Sequence, residues 1–353
     1  MTVTSPTRMR REIAQIPGAV DRVLATSAGE MRSVADAITR ARPRWIMIAG
    51  RGTSDHAAVY AQYLFETHLG LPAGLVKPSV TTVYGAELAW RDGLVLAISQ
   101  SGRSPDIVGV VAAARAAGAL TVAITNEPRS PLAAAAAWRL RCHAGRELAV
   151  PATKTYVAEL AVVAALVAEL RPTRELRDGL AALPGAIRTA LGMTRTWLHG
   201  PGGEAVADLA AADRALLVSR GYNLATALEL ALKLKETCGL FAEAYSTADF
   251  AHGPLVLARP DVPTLAIRPD GAMGEAVDAT LAAVAARGGR ATVIGAAEAA
   301  RIPGALALPG VLPESLTPLL FVVPGQMLVE ATALRRGLSP DAPVGLGKVT
   351  LTR

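Results

Sequence analysis

The chain has 353 residues, 51% of them hydrophobic, a mean hydropathy of +0.33 and a formal net charge of +6. That composition excludes a disordered chain and is enough for two domains with sizeable cores. No uninterrupted apolar run reaches the roughly 18 residues of a membrane helix, two cysteines make no disulfide framework, and basic residues scattered singly among 4% aromatics argue against a nucleic-acid surface.

Residues 1–34 read as a helical extension that lacks the apolar core of a secretory signal, so the expected location is the cytoplasm, with no membrane partner. Next comes "WIMIAGRGTSDHAAVYA" from Trp45 to Ala61, an apolar strand, an Arg-Gly turn and an alanine-rich helix. The same order returns in "ALLVSRGYNLATALELA", with Arg220 lying 169 residues after Arg51. "LAIS" at Leu96 and "LAIR" at Leu265 repeat at 169, and "TVAIT" at Thr121 and "TVIGA" at Thr292 at 171. The chain therefore holds an internal duplication. Each copy alternates short β-branched runs with helices, which predicts an α/β fold of two tandem domains, each a parallel sheet flanked by helices on both faces. The expected boundaries are 35–170 and 194–338, joined by a linker at 171–193 and followed by a Pro- and Gly-rich tail at 339–353.

Between Leu94 and Val111 an apolar strand stops at Ser99-Gln100-Ser101-Gly102-Arg103-Ser104, and Pro105 opens a helix. Ser104 suits an N-cap, Pro105 the first helical position and Asp106 the first turn. Hydroxyls, backbone N–H groups and a helix dipole would then converge at the carboxyl end of a parallel strand, where such sheets bind ligands. That is a phosphate cradle, or else a serine-rich capped turn. No GxxxxGK[ST] is present, and "GRGTSD" is only a broken dinucleotide fingerprint.

In the second copy "ALELALKLKE" places Glu229, Lys233 and Glu236 on one helix face, while Leu228, Leu230, Leu232 and Leu234 wrap the helix in apolar groups. Buried charge of that kind is costly unless it serves a site. Lysine is rare: of 36 basic residues only Lys77, Lys154, Lys233, Lys235 and Lys348 are lysine and 31 are arginine. Arginine supplies fixed charge, whereas only lysine can lose its proton or attack a carbonyl near neutrality. Lys348 stands out because it lies in a tail otherwise expected to fray.

"GTSDHA", "SQSGRSPD", "VPATK", "ALELALKLKETCGLFAEAYSTADFAHGP" and "GLGKVTLTR" together cover nearly the whole chain. In this order the sequence resembles the tandem sugar-isomerase (SIS) family, the isomerase half of glutamine:fructose-6-phosphate aminotransferases and its stand-alone relatives. The resemblance implies that Ser99, Gln100, Ser101 and Ser104 hold a sugar phosphate. Thr53, Ser54, Val150 and Ala152 would line the sugar, although Pro151 departs from the usual small residue and Thr153 could simply cap a helix. It further implies Glu236 as the base between C1 and C2, with Lys233 steadying the enolate. His252 becomes the ring-opening acid/base, given to the neighbouring subunit's site in a homodimer, and Lys348 the Schiff-base lysine. No metal and no cofactor is implied. His56, His68, His143 and His199 have no counterpart role.

The chain starts near the linker before the first sugar domain, with no cysteine nucleophile, and "SQSGRSPD" resembles the deaminase group rather than the synthase-like "SQSGETAD". The expected activity is therefore an amino-sugar-phosphate deaminase acting on a phosphorylated hexosamine. A deglycase, a plain aldose–ketose isomerase and a non-catalytic phosphosugar sensor remain alternatives, and of these the sensor should survive loss of Glu236, since binding needs no base.

Overall fold

Aliphatic runs of five or six residues become parallel strands buried on both faces, and all six residues of the strand Gly93–Ile98 are buried. The computed structural model describes residues 6–348. The described chain divides into two compact units. The N-terminal unit comprises Gly18–Glu147 and Lys154–Ala181, and the C-terminal unit comprises residues 6–17, Leu148–Thr153 and 182–348.

Three helices, α1 (Arg8–Ala14), α2 (Ile16–Thr26) and α3 (Ala28–Ala41), precede β1 (Trp45–Ala49). Then follow α4 (Thr53–Leu69), β2 (Ala73–Leu75), α5 (Pro78–Thr82), β3 (Gly93–Ile98), α6 (Pro105–Ala116), β4 (Leu120–Thr125), α7 (Pro131–Ala135), β5 (Trp138–Arg141) and α8 (Lys154–Leu170). The segment 171–193, expected as a helical linker, is mostly helix: α9 runs from Arg174 to Leu198 with Pro184 inside it. After α10 (Pro201–Ala211) the second copy begins with β6 (Arg214–Ser219), α11 (Leu224–Cys238), β7 (Phe241–Ser246) and α12 (Thr247–Ala251). It ends with β8 (Thr264–Arg268), α13 (Gly271–Ala285), β9 (Ala291–Gly295), β10 (Leu306–Ala307) and α14 (Thr317–Arg335).

Each unit holds a five-stranded sheet, all parallel, ordered β2-β1-β3-β4-β5 in one and β7-β6-β8-β9-β10 in the other. The two orders are the same topology, which confirms the duplication in three dimensions. Register sharpens it: Ile48 faces Leu96 as Leu217 faces Leu265, both steps of 169. One strand further, Val122 and Thr292 are equivalent at a step of 170, so the match of Thr121 with Thr292 is one residue out of register. Strand order reverses between β1 and β3 and between β6 and β8. Those switch points put the N-termini of α4 and α6, and of α11 and α13, beside ligand crevices.

Helices cover both faces of each sheet. In the N-terminal unit Val95 and Ala97 pack on Ile107, Val110 and Val111 of α6, while the alternate Leu94, Leu96 and Ile98 are buried on the opposite face. In the C-terminal unit Val218, Ala266 and Val293 pack on Phe250, Val277 and Val284. On its other face α11 packs against α14, and Gly325 makes the approach possible: a Cβ there would lie 2.3 Å from Leu230 Cδ1. Among the described residues one stretch, Glu314–Arg335, is long and apolar enough to cross a membrane, and its most apolar window is 94% buried inside the protein. It is a core helix.

Candidate active site

In the N-terminal unit the serine loop joins β3 to α6 as the sequence predicts. Ser99 is buried and its Oγ accepts from the Gly102 N–H at 3.1 Å, while Ser101 Oγ accepts from Arg103 N–H at 3.3 Å. The turn is fixed from the neighbouring strand, because the Ser99 N–H donates to Ile124 O and the Asn126 N–H to Gln100 O. Gly102 is required twice over: its φ is +60°, and a Cβ would fall 2.1 Å from Ser130 Oγ. Ser104 occupies the N-cap with extended backbone, but its hydroxyl does not cap the helix and has no partner among the described residues. Its hydroxyl therefore stays available to an anion at the N-terminus of α6.

Asp106 in that first turn would repel a phosphate. Arg51 neutralises it, with Nε and Nη2 each 2.8 Å from Asp106 Oδ2, and the guanidinium is 47% exposed while the carboxylate is buried. This pair ties the turn after β1 to the helix after β3, across the switch point. Arg51 was not among the residues expected to bind; its signal in the sequence is that the Arg-Gly turn is repeated. Thr53 opens α4 beside it. Ser54 is buried and turned inward, donating its hydroxyl to Glu159 Oε1 at 2.9 Å. This bond gives Ser54 a structural task that motif reading alone does not reveal.

In the C-terminal unit α11 brings Glu229, Lys233 and Glu236 together. Lys233 is buried, with Nζ 2.5 Å from Glu236 Oε2 and 3.4 Å from Glu229 Oε1. Burial alone would lower its pKa, but the two carboxylates outweigh this and raise it above the ordinary lysine value. Lys233 is therefore a fixed ammonium, suited to stabilising negative charge and unable to act as a base. Glu229 is sealed, whereas Glu236 keeps 24% side-chain exposure. Of the two carboxylates only Glu236 can meet a substrate.

His252 caps the C-terminus of α12 with its imidazole exposed. Among the described residues no hydrogen bond or ion pair joins it to Lys233 or Glu236. Lys348 donates from Nζ to Ala149 O at 2.7 Å and to Val150 O at 3.5 Å. The tail thus meets the "VPATK" loop, and Val150 and Ala152 belong with the C-terminal unit rather than with their sequence neighbours in 35–170. The cause is a set of long-range bonds. The buried Glu12 carboxylate accepts the N–H groups of Leu148, at 2.5 Å, and Ala149, at 3.2 Å. The Val150 N–H donates to Asp341 O, and Gln326 Nε2 to Thr153 O. Asp341 in turn accepts from the N–H groups of Arg8 and Met9 at 2.9 Å each.

The remaining lysines divide. Lys235 makes a surface pair with Glu243 and Lys77 is exposed, but Lys154 is buried and donates to Arg146 O at 2.6 Å. The second switch point differs from the first in chemistry. Arg268 stands where the first copy has Ser99, fully buried, bonding Asp278 through Nε at 2.8 Å and Nη2 at 2.9 Å, and Glu298 at 3.1 Å. Carboxylates of its own unit therefore satisfy Arg268. Hydrogen bonds from Arg268 hold the Asp278 carboxyl below its usual pKa.

Comparison with known proteins agrees with this division. Residues 40–169 and 208–302 match the SIS domain. The chain is 33% identical over 348 residues to the glutamine–fructose-6-phosphate aminotransferase of Methanothermobacter thermautotrophicus, an alignment covering 96% of this chain and 56% of that protein. It thus spans little more than half the length of such relatives. A crystal structure of a candidate phosphosugar isomerase from Silicibacter pomeroyi superposes with TM-score 0.85 at 38% identity, covering 95% of this chain and all of that one. The fold is shared as well by the glucosamine-6-phosphate deaminase of Thermotoga maritima, with TM-score 0.79, 22% identity and coverage of 98% and 100%.

Proposed function

This chain belongs to the SIS domain family, and from that premise we propose that it is a phosphosugar isomerase-class enzyme, specifically a glucosamine-6-phosphate deaminase. The observation that carries the reading is the α11 triad, in which a permanently charged Lys233 is flanked by one sealed and one accessible carboxylate. The phosphate sits in the Ser99–Ser104 loop. His252 assists cleavage of the C1–O5 bond, giving the open-chain aldehyde. Glu236 takes the proton from C2 and returns it to C1 while the amino group gives up a proton and O1 gains one, converting the 2-amino aldehyde through an enolamine to a 1-hydroxy-2-imine. Lys233 stabilises the negative charge that develops on O1. Water adds to C2 and ammonia leaves, giving fructose 6-phosphate. Lys348 closes over the open-chain sugar from the tail. The proton transfer needs only a base and a fixed positive charge, and both are present on α11.

The deaminase reading draws support from the "SQSGRSPD" form of the loop. The test is ammonia release from hexosamine 6-phosphates by the native chain and by Glu236→Gln. The native chain should release ammonia, and Glu236→Gln should lose about 10²- to 10⁴-fold in kcat with little change in KM. Aldose–ketose interconversion without ammonia would instead mark a plain isomerase. Full activity of Glu236→Gln would remove the base from the mechanism.

We further propose a homodimer in which His252 serves the partner's site. His252→Ala and Glu236→Gln, each inactive alone, should regain activity when unfolded and refolded together. No regain would place His252 in its own subunit's chemistry.

A further inference from the structure

The two Arg-Gly turns of the duplication have come to different ends. Arg51 is neutralised by Asp106. Its counterpart Arg220 is half-buried and has no hydrogen-bond or carboxylate partner among the described residues. Glu275, which stands 169 residues after Asp106, is exposed and makes no bond to Arg220. Arg220 instead lines a cavity of about 320 Å³ within the C-terminal unit, walled by α12 and α13.

The walls explain why the space exists. Five alanines, two on α12 and three on α13, face it together with Phe250 and Leu255. Two threonines are the other polar groups. Thr280 Oγ1 is committed to Ala276 O at 3.0 Å. Thr247 is 5% exposed, and its hydroxyl is buried without a hydrogen-bond partner among the described residues. An unneutralised guanidinium and an apolar wall thus share one cavity of ligand size.

The geometry points to a second ligand site here, one that takes a small organic anion with an apolar body. A carboxylate or phosphate head meets the planar fork of Arg220, which matches either group bidentately. The hydrocarbon part lies on the alanine wall. A sugar phosphate is disfavoured, because its hydroxyls would be desolvated against alanine and phenylalanine with no donors or acceptors to replace water. The site is independent of the reaction proposed above and uses none of its residues. It nevertheless touches α12, whose C-terminal cap is His252.

Isothermal titration with isovalerate and with isoamyl phosphate tests it, with isoamyl alcohol as the uncharged control. At least one of the anions should bind saturably and the alcohol should not. Arg220→Gln should weaken binding by about tenfold or more, the loss of a charge-assisted bond. Ala279→Leu, at an exposed helix position able to accept a larger side chain, should do the same by filling the cavity. It carries the test should Arg220→Gln fold poorly. Ser101→Ala should leave the anion's affinity unchanged, and both cavity variants should still bind fructose 6-phosphate. The inference is overturned by no saturable binding of either anion, by alcohol binding as well as the anions, by affinity insensitive to either cavity variant, or by loss of the anion in Ser101→Ala. Because the readout is binding, a failure here leaves the deaminase assay untouched, and the reverse holds too.

Discussion

Lys233 carries a structural duty besides its proposed chemical one. Replacing it with methionine leaves Glu229, which is fully buried, without its ammonium, and a buried pair broken from one side costs about 3–5 kcal/mol. Lys233→Met should show that loss in a urea unfolding curve at neutral pH. The same pair sets an alkaline limit. The folded-state pKa of Lys233 is raised, so its contribution is complete below the free amine's 10.5 and disappears as pH climbs past that value. Asp278 works in the opposite sense. Its folded pKa is depressed by Arg268, so its contribution is present above the free carboxyl's 3.8 and is lost as pH falls below it. Asp278→Asn should therefore be less stable than the parent at pH 7, and the gap should close on acidification. Its carboxylate is 29% exposed, so solvent screening reduces the cost to about 1–2 kcal/mol.

At the scale of elements, Gly325 decides how close α14 comes to α11. Gly325→Ala puts a methyl group against Leu230, and overpacking of this kind costs about 1–3 kcal/mol, against up to about 1 kcal/mol regained from helix propensity. Leu230 neighbours Glu229 on α11, so the variant should lower kcat together with Tm. Leu230→Val in the same chain should restore part of both; additive losses would show that the two helices do not press on each other there. Strands and helices of this kind are legible in sequence because their signals are local. The run before Ser99 and the leucines around Lys233 each announce an element and its burial within a few residues. The partners of Ser54, Arg51 and Leu148 are not legible. Glu159, Asp106 and Glu12 lie 105, 55 and 136 residues away, and no periodicity connects them. For the same reason the sequence assigns 148–153 to the first copy, whereas hydrogen bonds from Glu12, Gln326 and the tail carry it into the C-terminal unit.

For the whole molecule, duplication suggests two equivalent anion crevices, yet only the β1/β3 crevice keeps the serine loop. Arg268 and its carboxylates occupy the equivalent place between β6 and β8. Titration with fructose 6-phosphate should saturate at one equivalent per chain. Ser101→Ala should weaken it by roughly 10- to 100-fold, the value of a hydrogen bond to a charged group. A second equivalent of similar affinity would show that the Arg268 cluster yields to an anion.

That cluster also explains how two descendants of one ancestral domain came to divide their labour. A doubly charged guest lodged in the second crevice would add like charge to the unit that carries the α11 carboxylates. By answering its arginine internally, the second half leaves no free cation in that crevice to hold such a guest.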